Sequence, residues 1–199
     1  MEFVKEFATF LHQNGIIKFG DFTLASGKKS PYYIDLRAVP SYPHQFRRMI
    51  KHLQNAISEK TGLDSFDAIA SVPTGGLVIA SALALETVKP LIYIRSEAKQ
   101  YGTGKLVEGV IRNGMRVLFV DDVATTGGSV IKGIRALSEA GVKTSDCYVI
   151  ANRMEGASEA LRNEGVTLHH LFSIPEIAEI LYRSKLIDDA TLKRVQVKS

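Results

Sequence analysis

From Ala68 onward the chain repeats one pattern: a short apolar run, a turn carrying glycine or polar residues, and then a stretch of helical character. The runs are Ala68 to Val72, Pro90 to Arg95, Val117 to Val120, Asp146 to Ala151 and Val166 to Phe172. Helices are expected between them at Leu77 to Leu85, Ser129 to Ala140 and Glu155 to Glu164. Strands buried on both faces read as unbroken apolar runs, and parallel neighbours need a crossover helix between them. The pattern therefore predicts an α/β fold with a mostly parallel central sheet flanked by helices. Ligands of such sheets sit beyond the carboxyl ends of the strands. The turns after Val72, Arg95, Val120 and Ala151 are thus the places to look for chemistry.

The first part of the chain has a different period. Phe3, Val4, Phe7, Phe10 and Leu11 recur at helical spacing, and Gly15 is placed to end that helix. Ile16 to Leu24 and Tyr32 to Leu36 look like short strands around Ser26-Gly27-Lys28-Lys29-Ser30-Pro31. Residues 1–40 are accordingly expected to form a helix-plus-hairpin hood within a single domain spanning residues 1–199. A long amphipathic helix follows from Pro43 to Lys60, on Phe46, Met49, Ile50, Leu53 and Ile57, and the tail from Pro175 reads as helix with a break near Leu186 to Asp189.

Several classes drop out on composition. The longest apolar stretch, around Leu77 to Leu85, is far short of the roughly 18 residues of a membrane helix, and the N-terminus lacks a signal-peptide layout, so a soluble cytoplasmic location is expected. Cys147 has no second cysteine to pair with, and its apolar neighbours suggest a buried structural thiol. The five histidines, His169-His170 included, show no metal-ligand spacing and are expected to be surface or satisfied side chains. A net charge of +4, from 25 Lys+Arg against 21 Asp+Glu, favours anionic partners without choosing between small phosphates and nucleic acid.

The most specific segment is Val117 to Ser129. Four apolar residues are followed by Asp121 and Asp122, and then Ala124-Thr125-Thr126-Gly127-Gly128-Ser129 leads into a helix. Free amides at a helix start bind anions, glycine lets a phosphate approach the backbone, and the hydroxyls add donors. Two carboxylates beside a phosphate site would repel the anion unless they meet a neutral diol or a bridging metal, and ribose hydroxyls fill that role. A Walker A loop is excluded because the chain contains no Gly-x4-Gly-Lys-Ser/Thr string.

This segment resembles the motif by which type I phosphoribosyltransferases bind 5-phosphoribosyl 1-pyrophosphate (PRPP), and three more stretches resemble the orotate-using branch of that family. The resemblance spans nearly the whole chain. It implies that Asp121 and Asp122 hold the ribose hydroxyls, with Asp122 also catalytic, and that Ala124, Thr125, Thr126, Gly127, Gly128 and Ser129 hold the 5-phosphate. Ser71-Val72-Pro73-Thr74-Gly75-Gly76 resembles the pyrophosphate loop, which implies that Thr74, Gly75 and Gly76 face the leaving group; some members carry a lysine where this chain has Gly75.

Arg95 to Lys105 resembles the family's mobile catalytic loop, which reaches the neighbouring subunit's site in a homodimer. By that resemblance Lys99 and Arg95 are catalytic, and Arg95, Lys99, Tyr101 and Lys105 contact PRPP. Ser96 stands where a lysine is usual, Tyr101 where a histidine is usual, and Ala25 where a lysine lies near the substrates. Tyr33, Thr125 and Arg153 are implied to bind orotate, since a guanidinium fork suits a carboxylate-bearing pyrimidine.

The implied reaction transfers the phosphoribosyl group of PRPP to orotate, giving orotidine 5′-monophosphate and pyrophosphate, a step of pyrimidine biosynthesis. Mg²⁺ is the implied cofactor, held mainly by substrate oxygens and water, with no protein metal ligand assigned. No nucleic-acid or membrane partner is expected. The same chemistry on a purine base, and a PRPP-sensing transcriptional regulator on the same fold, remain the alternatives; no separate helix-turn-helix domain is evident in the sequence.

Overall fold

In the computed structural model of this chain, the described residues are 2–23, 27–95 and 106–197. The central sheet has six strands: β3 (Ala68–Ser71), β4 (Leu91–Ile94), β5 (Val107–Glu108), β6 (Val117–Ala124), β7 (Asp146–Asn152) and β8 (Thr167–Ser173). A separate antiparallel hairpin pairs β1 (Ile17–Thr23) with β2 (Lys29–Ile34). The helices are α1 (Glu2–Gln13), α2 (Pro43–Lys60), α3 (Gly75–Thr87), α4 (Gly128–Glu139), α5 (Ala157–Asn163), α6 (Ile174–Arg183) and α7 (Asp189–Gln196). The strand order across the sheet is β5-β4-β3-β6-β7-β8, and each pair is parallel except β4 with β5.

Side chains of a strand alternate between faces, and the two apolar clusters follow that period. Ile69, Leu118, Val120, Tyr148 and Ile150 join one cluster with Phe7 and Leu11 of α1, Met49 and Leu53 of α2, Leu83 of α3, and Ile177 and Leu181 of α6. Ala68, Ala70, Val117, Phe119, Cys147 and Val149 join the other with Val130, Ile134 and Leu137 of α4 and Leu161 of α5. Helices therefore cover both faces, as the apolar runs predict. Side chains of the first forty residues enter the same large cluster: Phe7 meets Phe172 of β8 with ring centroids 6.1 Å apart.

Local sequence explains the ends. After α1 the Ile16 N–H donates to Leu11 O (2.9 Å) and the Gly15 N–H to His12 O (3.1 Å), a closing motif that needs the positive φ of 63° Gly15 supplies. Ser173 and Glu176 form a reciprocal capping box at the start of α6. Three expectations shift. Leu36 opens a short 3-10 helix, Leu36–Ser41, instead of ending a strand; β5 adds an antiparallel edge; and β6 runs on through the acid pair to Ala124. Cys147 is buried as expected, and His169 bonds Asp146 Oδ1 at 2.7 Å. His12 and His170 are corrections, because the buried Nδ1 of each has no hydrogen-bond partner among the described residues.

The chain leaves β3 through α3 toward β4 on one side, and leaves β6 through α4 toward β7 on the other. Adjacent parallel strands whose connections diverge open a crevice at their carboxyl ends. The crevice here lies between β3 and β6.

Candidate active site

The turn after β3 and the acid pair of β6 meet in that crevice at a separation only glycine allows. A Cβ on Gly75 would lie 1.9 Å from Asp122 Oδ2, and one on Gly76 would lie 2.3 Å from Asp121 Oδ1 and 2.9 Å from Asp121 Cα. The start of α3 is thus pressed onto the two carboxylates. Each carboxylate also turns back on the chain: Asp122 N–H donates to Asp121 Oδ1 (2.9 Å), and Val123 N–H donates to Asp122 Oδ1 (2.9 Å). Asp121 is buried whereas Asp122 is half-exposed. Burial, together with the neighbouring Asp122 carboxylate, pushes the Asp121 carboxyl well above the usual range. Asp122 is the freer of the two to accept hydrogen bonds from a ligand.

Beyond the pair, Ala124, Thr125, Thr126, Gly127, Gly128 and Ser129 line a concavity of about 290 Å³ at the start of α4. Gly127, with φ of 82°, is the N-cap residue, and its backbone turns the chain into the helix. Lys132, one turn further along α4, lines the same concavity. A helix N-terminus, two threonines, a serine and a lysine are together able to hold an anion such as a phosphate group. The crevice thus has two helix starts, α3 and α4, on either side of a carboxylate pair. It can grip an anion at each end and a polyol between them.

The turn after β7 supplies the third group. Asn152 Oδ1 accepts from Met154 N–H (2.9 Å), and the Arg153 N–H donates to Ala124 O (2.9 Å), which ties this turn to the phosphate loop. Arg153 is buried and stacks over the Tyr32 ring, 4.5 Å from its centroid. Its Nε donates to Glu155 Oε1 (2.9 Å) and its Nη2 to Ser30 Oγ (3.2 Å), while the Tyr32 hydroxyl donates to the same Glu155 oxygen (3.2 Å). One edge of the guanidinium is therefore held by the hairpin and the turn. Nη1 makes no hydrogen bond among the described residues, so the end-on edge is left for a ligand. Burial raises the Tyr32 phenol above its usual range, so it remains a donor at neutral pH.

The expected residues divide as follows. Asp121, Asp122, Thr74, Gly75, Gly76, the residues 124–129 and Arg153 come together at one edge of the sheet. Tyr33 is partly exposed; its ring lies near Phe22, with centroids 5.8 Å apart, and its hydroxyl donates to Asp35 Oδ2 (3.4 Å). Tyr32 is the tyrosine in contact with Arg153, and strand alternation signals it, because Tyr32 and Ile34 share the buried face of β2. Arg95 follows β4 and pairs with Glu108 on β5 at 3.5 Å. Lys99, Tyr101 and Lys105, with Ser96 and Ala25, lie outside the described residues.

Sequence reasoning missed Ser30, Tyr32, Lys132 and Glu155. Lys132 carries a signal in helical spacing, three residues after Ser129. Ser30 carries none, since it meets Arg153 across 123 positions of chain. As a nucleophile the cysteine is ruled out, because full burial pushes the Cys147 thiol up.

Comparison with known proteins places this geometry. Residues 43–170 match the model of the phosphoribosyl transferase domain family. The chain is 53% identical over 196 residues to the orotate phosphoribosyltransferase of Cenarchaeum symbiosum (strain A), covering 98% of each. The crystal structure of orotate phosphoribosyltransferase from Aeropyrum pernix is similar with a TM-score of 0.78 and 36% identity, covering 91% of this chain and 99% of that one. A structure of Leishmania donovani UMP synthase gives a TM-score of 0.84 at 32% identity over 97% of this chain, which spans only 41% of that longer protein.

Proposed function

We infer that this chain, which belongs to the orotate phosphoribosyltransferase family, transfers the phosphoribosyl group of PRPP to orotate, releasing orotidine 5′-monophosphate and pyrophosphate. The observation that carries the reading is the contact of Gly75 and Gly76 with the Asp121-Asp122 pair at the sheet's switch point. That close approach supports a reading in which a leaving-group site, a ribose site and a phosphate site lie in a row.

In this reading the α4 start, from Ala124 to Ser129, holds the 5-phosphate with Lys132 at its edge. Asp122 accepts the ribose hydroxyls, with Asp121 beneath it, and Thr74, Gly75 and Gly76 turn the start of α3 toward pyrophosphate. The C1–O bond breaks with its electron pair going to pyrophosphate, and orotate N1 donates the pair of the new C1–N bond while its proton passes to solvent water. Catalysis then consists of holding N1 against C1 and stabilising the charge on the leaving group. No protein nucleophile is required.

Thr125 and Tyr33 border the base, and the end-on edge of Arg153 receives the orotate carboxylate. The anchoring of Arg153 by Glu155 and Ser30 supports a carboxylate-bearing base over a purine, because a buried, pre-oriented guanidinium fork is matched by a carboxylate. Arg153→Lys is expected to raise the KM for orotate by roughly ten- to a hundredfold while changing the KM for PRPP little. Steady-state kinetics with each substrate varied checks this; an unchanged orotate KM would place the base elsewhere.

The residues fit a magnesium ion that travels with the substrate. Asp121 and Asp122 offer carboxylate oxygens, yet among the described residues no three His, Cys, Asp or Glu side chains converge to build a cage. The ion, when bound, would neutralise pyrophosphate charge. The resemblance of residues 95–105 to the family's mobile loop supports a homodimer in which Arg95, Lys99, Tyr101 and Lys105 reach a shared site. Residues 1–40 are taken as a hood on a single domain, and the location as cytoplasmic. Among the described residues no helix is long and apolar enough to cross a membrane.

A further inference from the structure

We propose that Arg37 is a cation that this chain sets beside the turn from Val72 to Gly76, against the departing pyrophosphate. The inference rests on the reaction inferred above, and Arg37 belongs to none of the motifs that suggest that reaction. The turn from Val72 to Gly76 offers backbone amides but no cationic side chain. A pyrophosphate leaving group gathers negative charge as the C1–O bond breaks, and amide dipoles alone compensate it less than a guanidinium does.

Arg37 comes from the first turn of the 3-10 helix that follows the hairpin, and its stem packs on this turn. A Cβ on Gly75 would lie 3.3 Å from Arg37 Cγ as well as 1.9 Å from Asp122 Oδ2. The glycine that admits the acid pair therefore also admits Arg37. Asp35 holds one edge of the guanidinium: Nε donates to Asp35 Oδ1 (2.6 Å) and Nη2 to Asp35 Oδ2 (2.8 Å), with the Tyr33 hydroxyl interacting beside them. Asp35 is itself fixed by the Arg37 N–H (3.2 Å) and the Tyr33 hydroxyl (3.4 Å). Nη1 makes no hydrogen bond among the described residues, and the side chain is 58% exposed.

An exposed Arg-Asp pair ordinarily contributes little to stability. Here it fixes the plane of a fork that remains open beside Gly75. The ion pair raises the already high affinity of Arg37 for its proton, so the charge is constant at every working pH. A fork with one edge anchored and the other free suits a phosphate oxygen pair, which Arg binds with directional hydrogen bonds. Tyr33 and Asp35 then connect the hairpin to the leaving-group side of the crevice.

The test is a kinetic and binding comparison of wild type, Arg37→Ala and Arg37→Lys. Inorganic pyrophosphate is titrated by calorimetry in the presence of Mg²⁺, and the KM values for PRPP and orotate are measured in the forward reaction. Arg37→Ala should weaken pyrophosphate binding and raise the PRPP KM by roughly ten- to a hundredfold, leaving the orotate KM within about twofold, and Arg37→Lys should recover part of the loss. Unchanged pyrophosphate affinity, or equal losses for pyrophosphate and orotate, overturns the assignment of Arg37. Wild-type protein that binds pyrophosphate but forms no orotidine monophosphate overturns the orotate reading instead.

Discussion

Replacing Asp122 with Asn is expected to lower kcat/KM for PRPP by roughly a hundred- to a thousandfold, with little change in fold stability. Two charge-assisted hydrogen bonds from ribose hydroxyls to a carboxylate contribute about 1.5–3 kcal/mol each, and an amide keeps only part of that. Asp122 is half-exposed and bonds one backbone amide, so the protein loses little when its charge is removed.

Asp121→Asn should behave differently. Its carboxyl is pushed up by burial and by Asp122, so the folded state holds that proton more tightly than the unfolded chain. Such a group contributes stability that is fully present below the unfolded pKa and is lost as pH rises through the folded value. Asn never ionises and escapes that loss. The variant should therefore gain Tm relative to wild type as pH rises from about 4 to 8, while its activity falls. Thermal melts across this range measure the gap, and a gap that is flat with pH contradicts the strained-carboxylate account.

Gly76→Ala is the second substitution with a large expected effect. The new Cβ would meet Asp121 Cα at 2.9 Å, Ser71 Oγ at 2.6 Å and Asp121 Oδ1 at 2.3 Å. Side-chain oxygens can rotate, but the Cα of a central strand cannot. Overpacking of this kind costs about 1–3 kcal/mol, and each kcal/mol lowers Tm by about 2–4 °C in a domain of this size. Activity should fall much further, because relief of the clash moves the acid pair away from α3. Gly75→Ala offers the contrast. Its worst contact is a side-chain oxygen, Asp122 Oδ2, and alanine is the better helix former, so it should lose activity with a smaller loss of Tm. Equal Tm losses for the two variants would contradict the distinction.

The sheet was legible because its strands are continuous apolar runs separated by glycine turns, a pattern few other folds produce. Helix α2, from Pro43 to Lys60, has the bounds its apolar spacing predicts. Strand β5 was not legible, because two residues cannot display a period of two. In the site, the acid pair and the α4 turn announce themselves by residue type. What the sequence could not announce is contact between distant segments: Ser30 with Arg153, and Arg37 with Gly75. Both arise because the hairpin and the short helix after it fold back over the carboxyl edge of the sheet. Of the two adjacent tyrosines, Tyr32 is the one that meets Arg153, because strand alternation turns it inward and leaves Tyr33 exposed.

A PRPP crevice with a pre-oriented Arg153 should make this chain an orotate-using enzyme. The most direct test is pyrophosphate release by the purified chain with PRPP and Mg²⁺, measured with orotate, adenine or xanthine as the base. Orotate-dependent release is expected, with orotidine 5′-monophosphate as product, and none above background with either purine. Release that depends on a purine but not on orotate would contradict that expectation.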